Sequence, residues 1–310
     1  MDNFFLNLNI EESENKLKHG DDFILLGSCF SDEISNKLKF AGHQVFSNPF
    51  GTIFHPTALA YSIFSLFEDL EQNDIFQRDN QYYYWLASTK ISSSSQEGLI
   101  ETISEIKNNF KSKLQQAKIL IVTFGTAWGY ELAESQKIVA NCHKMPSNLF
   151  NKFLSSPYEI VQDWRLVIDK IQTLNPDIEI VFTVSPVRHI RDGIIENNLS
   201  KARLIEAVSQ LSYEFNAQYF PSYELIIDVL RDYRFYKADL VHPNDEAINY
   251  IWKKFEQTYF DETTTNLNRK VESVNAFGNH QSTKKEEHQQ KFTELKQNLS
   301  NLHPQITWYK

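Results

Sequence analysis

The sequence predicts an α/β protein: a three-layer α/β/α sandwich around a five-stranded parallel sheet, flavodoxin-like in topology. Three observations carry this reading. Short apolar runs, notably Ile24-Leu25-Leu26, Lys118 to Phe124 and Ile178 to Val184, lack the alternation of a half-exposed strand, so both of their faces need cover. The segments between them carry apolar residues at helical spacing. This alternation recurs five times without a long linker, which places crossover helices on both faces of one sheet.

Residues 1–21 are polar after the first few and lead, as an edge segment, into a strand ending at Gly27. Phe30, Ser31 and Asp32 open an amphipathic helix to Ala41, with Ile34 and Leu38 in register and Gly42 as C-cap. Residues 44–47 are a second strand, turned by Asn48-Pro49-Phe50-Gly51, and Pro56 suits the first turn of a helix over about 57–71. Residues 82–87 read as a strand that pairs with 137–140 in an accessory hairpin, and the tetraserine at 92–95 reads as a loop. A long helix over about 97–116 precedes the third strand, which Gly125-Thr126 turns. Ser156, Pro157 and Glu159 supply a capping serine, a proline at the first helical position and an acid three residues after the cap; that helix runs to about Leu174.

The fourth strand, 178–184, ends in Ser185-Pro186, and a helix over about 199–216 comes next. Residues 225–229 are taken as the fifth strand. A loop with Asp239 and His242 and a last core helix over 244–259 complete the domain. By analogy with flavodoxin-like sheets, the expected strand order is 2-1-3-4-5. The domain covers 1–260. Residues 261–310, polar and without a strand pattern, are expected to be a peripheral extension with a helix near 285–299.

A chain of 310 residues with 41% hydrophobic and 14% aromatic content supports a substantial core and is unlike a disordered chain. Its net charge of −9 is dispersed, without the basic stripe of a nucleic-acid or anionic-membrane binder. No run approaches the ~18–20 apolar residues of a membrane span, and the start lacks a basic n-region. Together with only two cysteines, Cys29 and Cys142, this leads us to expect a reduced, cytoplasmic protein; whether the two pair is left open by the sequence. Neither a nucleotide motif nor metal-ligand spacing occurs, so no cofactor or metal is expected.

In a parallel sheet the turns at 27–31, 48–51, 125–128 and 185–189, with the Asp239/His242 loop, gather at one edge. The start of the first helix offers unpaired N–H groups and a positive dipole end beside Ser28 and Cys29, which favours a thiolate or an oxyanion. Asp239-Leu240-Val241-His242 spaces a carboxylate to hold one imidazole nitrogen and leave the other as general base; alone, it reads first as a surface helix-capping loop with an incidental histidine, and the thiol and hydroxyl at another strand end turn the reading toward nucleophilic catalysis. His143 and Lys144, after Cys142, are read as substrate or anion recognition, or as a self-bonded loop. Arg188 and His189 suit a carboxylate or phosphate, or an ion pair with Asp192 or Glu196.

Gly27-Ser28-Cys29-Phe30-Ser31, Asn48-Pro49-Phe50-Gly51 and Asn141-Cys142-His143-Lys144 resemble the motifs of the GSCFA domain family, over roughly residues 4–260. That family is grouped with the SGNH/GDSL hydrolases, and its activity is not assigned beyond the grouping. Set beside the Gly-Asp-Ser-Leu-Ser opening of the larger group, Gly27, Phe30 and Ser31 match. The nucleophile position falls on Cys29 and Ser28 replaces the Asp, so Cys29 is the expected nucleophile and Ser28 the fallback. At a helix start near an imidazole, the thiol is expected to have a lowered pKa.

The resemblance also gives Gly51, in the motif opened by Asn48, an oxyanion-hole N–H, and it matches Asp239 and His242 to the group's Asp-x-x-His. The group's Gly-x-Asn reads here as Gly125-Thr126-Ala127. Its asparagine donor is missing, and Asn141 or the backbone around Thr126 is the candidate replacement. The activity this resemblance implies is that of a hydrolase or acyltransferase for an acyl ester or thioester, with carbohydrate O-acyl groups among its substrates. The partner would be a small-molecule or glycan acyl substrate, with no nucleic acid and no membrane. The alternative is a non-catalytic module binding a glycan or small ligand in the same cleft; a partner-binding protein acting through residues 261–310 is a third class.

Overall fold

A computed structural model of the chain describes residues 6–280 and 283–309; residues 1–5 of the expected edge segment lie outside them. The centre is a parallel sheet of β1 (Asp22–Gly27), β2 (Gln44–Ser47), β3 (Ile119–Phe124), β4 (Glu179–Val184) and β5 (Gln218–Tyr219). Its order, β2-β1-β3-β4-β5, is the one expected. Helices α1 (Cys29–Phe40), α2 (Pro56–Phe64), α3 (Gln96–Gln116), α4 (Pro157–Leu174), α5 (Ile194–Phe215) and α6 (Asp245–Tyr259) flank it.

The apolar runs divide between the two faces with period two. Ile24, Leu26, Leu120, Val122, Phe124, Ile180 and Phe182 point toward α3, α4 and α5. Phe23, Leu25, Ile119, Ile121 and Val181 point toward α1 and α6. Both faces are therefore dry, which is why the strands show no polar alternation. The capping box at Ser156 and Glu159 is present as predicted.

Several expectations are corrected. Residues 225–229 are not a strand: Leu225–Leu230 forms a π-helical turn that buries Leu225, Ile226 and Val229 against the α1/α6 face. A short apolar run has no periodicity to separate strand from helix, and the true edge strand is only Gln218–Tyr219. Residues 82–87 and 137–140 do not form one hairpin. Gln81–Tyr84 pairs with Ile75–Arg78 and with Ser92–Ser93, whereas Ile138–Val139 joins Trp128–Leu132 and Phe150–Leu154. The first pairing is set by Asp79 and Asn80, both at positive φ, the two-residue turn whose twist suits a hairpin. The tetraserine supplies that short strand and, at Ser95, the cap of α3. The helix expected over 57–71 ends at Phe64, with a 3-10 turn after it.

Beyond residue 260 the described residues form two helices, α7 (Glu262–Asn279) and α8 (Lys285–Leu302), the first unforeseen. Leu267 and Val271 of α7 cluster with Ile306. Asn275 donates to the Phe40 carbonyl at the end of α1 (2.8 Å), and Thr307 N–H donates to Gly42 O (2.9 Å). His43 bonds Asn268 (2.9 Å) and stacks on His19, with ring centroids 4.2 Å apart. Among the described residues no helix is long and apolar enough to cross a membrane.

Candidate active site

The site begins where β1 turns into α1. Gly27 adopts φ +117°, and a Cβ there would lie 2.1 Å from the Thr123 carbonyl oxygen, so only glycine fits the turn. Ser28 N–H donates to that same oxygen (3.1 Å). The Ser28 hydroxyl accepts from Phe30 N–H (3.3 Å) as the helix N-cap and is fully buried. Cys29, the first residue of α1, is partly exposed and, like Cys142, is a free thiol. Exposure thus favours Cys29 over Ser28 as the group a substrate meets.

Asn48, held at φ +42°, locks this turn. Its carbonyl oxygen accepts from Gly27 N–H (2.8 Å), and its amide donates to Ser31 Oγ (3.0 Å) and Asp32 Oδ1 (2.7 Å). Those bonds occupy the side chain, which shapes the turn and offers little to a ligand.

Across the same edge, Asp239 Oδ1 accepts from Val241 and His242 N–H (2.9 and 3.0 Å), and Oδ2 meets His242 Nδ1 at 2.7 Å. The backbone N–H of His242, then that of Val241 and the imidazole, hold the carboxyl well below the usual carboxylate range. An ionised carboxylate only accepts, so this network assigns the proton to Nδ1 and leaves the Nε2 lone pair free. The loop is tied to its neighbours: Lys237 Nζ reaches Glu33 of α1 (3.3 Å), and Arg188 N–H donates to Val241 O (3.2 Å). Among the described residues, however, no hydrogen bond joins Cys29 to His242.

The electrostatics of Cys29 differ from expectation. Burial pushes the thiol up, Asp32 and Glu33 add to the rise, and its own N–H and Lys201 oppose it. The helix start is outweighed by burial first, and then by the carboxylates of Asp32 and Glu33 in the first turns of α1. A thiol that stays protonated at neutral pH needs a base to accept its proton during attack.

Lys201 is the residue that motif reasoning missed. It lies on the buried face of α5, in register with Leu204, Val208 and Leu211, a lysine at an apolar position; that misfit was the available signal. Its Nζ donates to Gly125 O (2.6 Å) and Ser185 O (2.7 Å), and burial lowers its pKa to about 7. His189 lies edge-on to Phe54 (5.4 Å). Burial first, then the Lys201 charge, lowers it to about 3, with His242 also acting on it. Arg188 makes no ion pair with Asp192 or Glu196. Its guanidinium packs over Tyr236 (4.2 Å) and Tyr233 (5.3 Å), while Asp192 pairs with Lys152.

The expected oxyanion donors are largely committed. Gly51 N–H donates to Asn48 O (2.7 Å), and Thr126 N–H to Phe54 O (3.1 Å); the Thr126 hydroxyl is shared with Ser200 (3.0 Å). Asn141 accepts from His143 N–H (2.6 Å) and Thr89 (3.2 Å) through its oxygen. Its amide nitrogen makes no hydrogen bond among the described residues. Asn141, Asn48, Gly51, Thr52 and Phe54 line a groove of about 580 Å³ beside the turn.

His143 does not join the site. It is buried among Phe76, Tyr83 and Trp85, and burial lowers it to about 4, so it packs the accessory sheets. Lys144, at φ +55°, is exposed on the same turn.

The class of protein is thus an α/β/α sandwich bearing a helix-start thiol and a carboxylate–imidazole pair at one sheet edge. The chain belongs to the GSCFA family, which matches residues 22–255. No curated protein matches it. Among solved structures it is similar to the periplasmic domain of a lipopolysaccharide acetyltransferase of Salmonella ser. Paratyphi A, at 10% identity and TM-score 0.39, covering 78% of this chain and 83% of that one. A protein of Parabacteroides merdae designated a GDSL-like lipase matches at 11% identity and TM-score 0.42, covering 82% and 100%. An acetyl xylan esterase of Butyrivibrio proteoclasticus matches at 10% and 0.40, covering 82% and 65%.

Proposed function

We propose that this protein is an SGNH-like hydrolase or acyltransferase that cleaves an acyl ester or thioester with Cys29 as nucleophile. The observation that carries the reading is the Asp239–His242 pair, with its imidazole oriented at 2.7 Å in a loop bonded to the helix that presents Cys29. Cys29 Sγ attacks the carbonyl carbon while His242 Nε2 takes the thiol proton. Asp239 stabilises the imidazolium, which then protonates the leaving oxygen or sulfur. Water or an acceptor alcohol, deprotonated by the same imidazole, releases the acyl group. The Cys29 N–H, one of the orphan donors of a helix start, faces the developing oxyanion, and the Asn141 amide is the further donor within the neighbouring groove. That groove's hydroxyl and amide lining beside the Phe54 ring suits a carbohydrate carrying the acyl group.

The test is a panel of aryl and thio-acyl esters, with acetylated sugars, run on wild type, Cys29→Ala, Ser28→Ala and His242→Ala. Turnover lost in Cys29→Ala and His242→Ala supports the reading, whereas activity surviving Cys29→Ala and lost in Ser28→Ala moves the nucleophile. The commitment of the Gly51 and Thr126 N–H groups favours a second reading, a non-catalytic glycan- or small-ligand-binding module. No turnover by wild type, with a ligand that shields Cys29 from alkylation, would establish that alternative.

A further inference from the structure

Lys201 has no role in the proposed mechanism, yet it is a fully buried amine at the end of the sheet that carries the site. Phe124 and Val184 are paired across β3 and β4, and one residue beyond that pair the Gly125 and Ser185 carbonyls both accept from Nζ (2.6 and 2.7 Å). On the other side of β3, Gly27 is in register with Thr123, whose carbonyl receives Ser28 N–H. The amine and the start of α1 therefore flank the end of one strand, and adjacent strands lie only ~4.8 Å apart. An ammonium has three N–H donors. Two are used by these carbonyls, and among the described residues no hydrogen bond takes the third.

We propose that Lys201 is a positioning residue that acts through Cys29: a positive charge kept inside the fold to favour the thiolate. The charged and titratable groups facing the pair are Asp32 and Glu33 on α1, His189 after β4, Tyr223, whose ring lies 5.8 Å from Nζ, and, in the proposed mechanism, His242 with its partner Asp239. Of these, the two α1 carboxylates oppose a thiolate, His189 is held neutral, and Lys201 supplies the favourable charge. Burial draws the amine's own titration down to about 7, so its charge acts on Cys29 mainly below that pH. The amine also joins the turns after β3 and β4, so its charge and its tethering act at the same place.

The inference rests on Cys29 being the reacting group, but its test does not need turnover. In a Cys142→Ala background, where Cys29 is the remaining thiol, the rate of iodoacetamide alkylation is measured against pH for Lys201→Gln, Lys201→Met and Lys201→Arg. The expected result is a rate at pH 6.5, where the amine is mostly charged, reduced by about threefold or more in the first two, with the profile displaced to higher pH, and recovery in Lys201→Arg. An unchanged profile in a folded Lys201→Gln protein would overturn the proposal. Should the neutral variants not fold, wild type and Cys29→Ala labelled with ¹³C-lysine read the reciprocal effect. The Lys201 resonance must titrate at lower pH without the thiol, and identical midpoints would overturn the coupling. Intact coupling in a protein inert toward every ester would sink the proposed function and leave this inference standing.

Discussion

Replacing Asp239 with asparagine is the sharpest perturbation of the site, because it changes one proton and almost no shape. The new amide oxygen can still accept from the Val241 and His242 N–H groups, which lie 2.9 and 3.0 Å from the native carboxylate. The loop keeps its other supports: Lys237 N–H to His242 O at 2.7 Å and Asn244 N–H to Phe235 O at 2.9 Å. What changes is the 2.7 Å contact to His242 Nδ1, where the ring nitrogen now meets an N–H donor. The imidazole must place its lone pair on Nδ1 and its proton on Nε2, so the nitrogen proposed to take the thiol proton can no longer accept. A wrong tautomer in a buried triad lowers kcat by about 10⁴. Asp239 and His242 are each nearly half exposed, and water partly rescues such a pair, so a fall of about 10²–10³ in kcat is expected here, with KM little changed. Because burial keeps the Cys29 proton in place at neutral pH, hydroxide should partly substitute for the lost base, and the residual rate should climb with pH. The assay is steady-state hydrolysis of an aryl thioester from about pH 6 to 9, with circular dichroism to confirm the fold. A kcat within about threefold of wild type would refute the assignment of His242 as the base.

Three further outcomes are expected. His43, His55 and His143 are buried, with pKa values lowered to about 3, 4 and 4; the native state therefore binds fewer protons than the unfolded chain once the pH drops below the ordinary histidine value of about 6.5. Stability should be present above that value and be lost as the pH falls, by about 2 kcal/mol per histidine at pH 5; urea midpoints that stay flat from pH 7.5 to 5 would contradict this. Gly27→Ala drives a Cβ to 2.1 Å from a backbone oxygen at φ +117°, so the variant should be insoluble or destabilised by roughly 3 kcal/mol or more, as thermal unfolding would reveal. Asn48→Ala leaves Gly27 N–H without its acceptor and should lower stability by about 1–3 kcal/mol, with a larger loss of kcat than of binding, since the turn that aims Cys29 loosens; equal denaturation midpoints would count against that role.

The parts of the fold that were legible from the residues alone are those where burial leaves a periodic trace. β1, β3 and β4 are covered on both sides, and uninterrupted apolar runs are the result. Crossover helices such as α3 and α4 begin at Ser95 and Ser156, whose caps are spelled in the chain. β5 escaped because two residues, Gln218 and Tyr219, carry no period, while the apolar Leu225–Leu230 run next to them took the assignment and packs as a helical turn instead. The hairpin at 75–84 was missed because Asp79-Asn80 lacks the glycine that usually marks such a turn. In the site, spacing was sufficient to pair Asp239 with His242, since three residues fix that geometry locally. It was insufficient for Thr126 and His143, whose hydrogen bonds or burial depend on partners outside their own motifs: Phe54 lies 72 positions from Thr126, and Tyr83 lies 60 from His143. Lys201 shows the same limit from the other side, because a lysine on an apolar stripe signals something buried without saying what it faces.

The first helix is gripped at its two ends, by Asn48 of the next turn at its beginning and by Asn275 and Thr307, from far along the chain, at its finish. Such a rod cannot slide along its axis or unwind a turn without breaking contacts at the opposite end. The sulfur it carries is therefore held from both ends of the helix, and in the proposed reaction the fit to differently shaped substrates falls to the neighbouring turns at 188–193 and 237–242. Variation in selectivity among engineered forms should accordingly map to those turns, and loosening the grip near residue 275 should blunt the chemistry from the far side of the molecule.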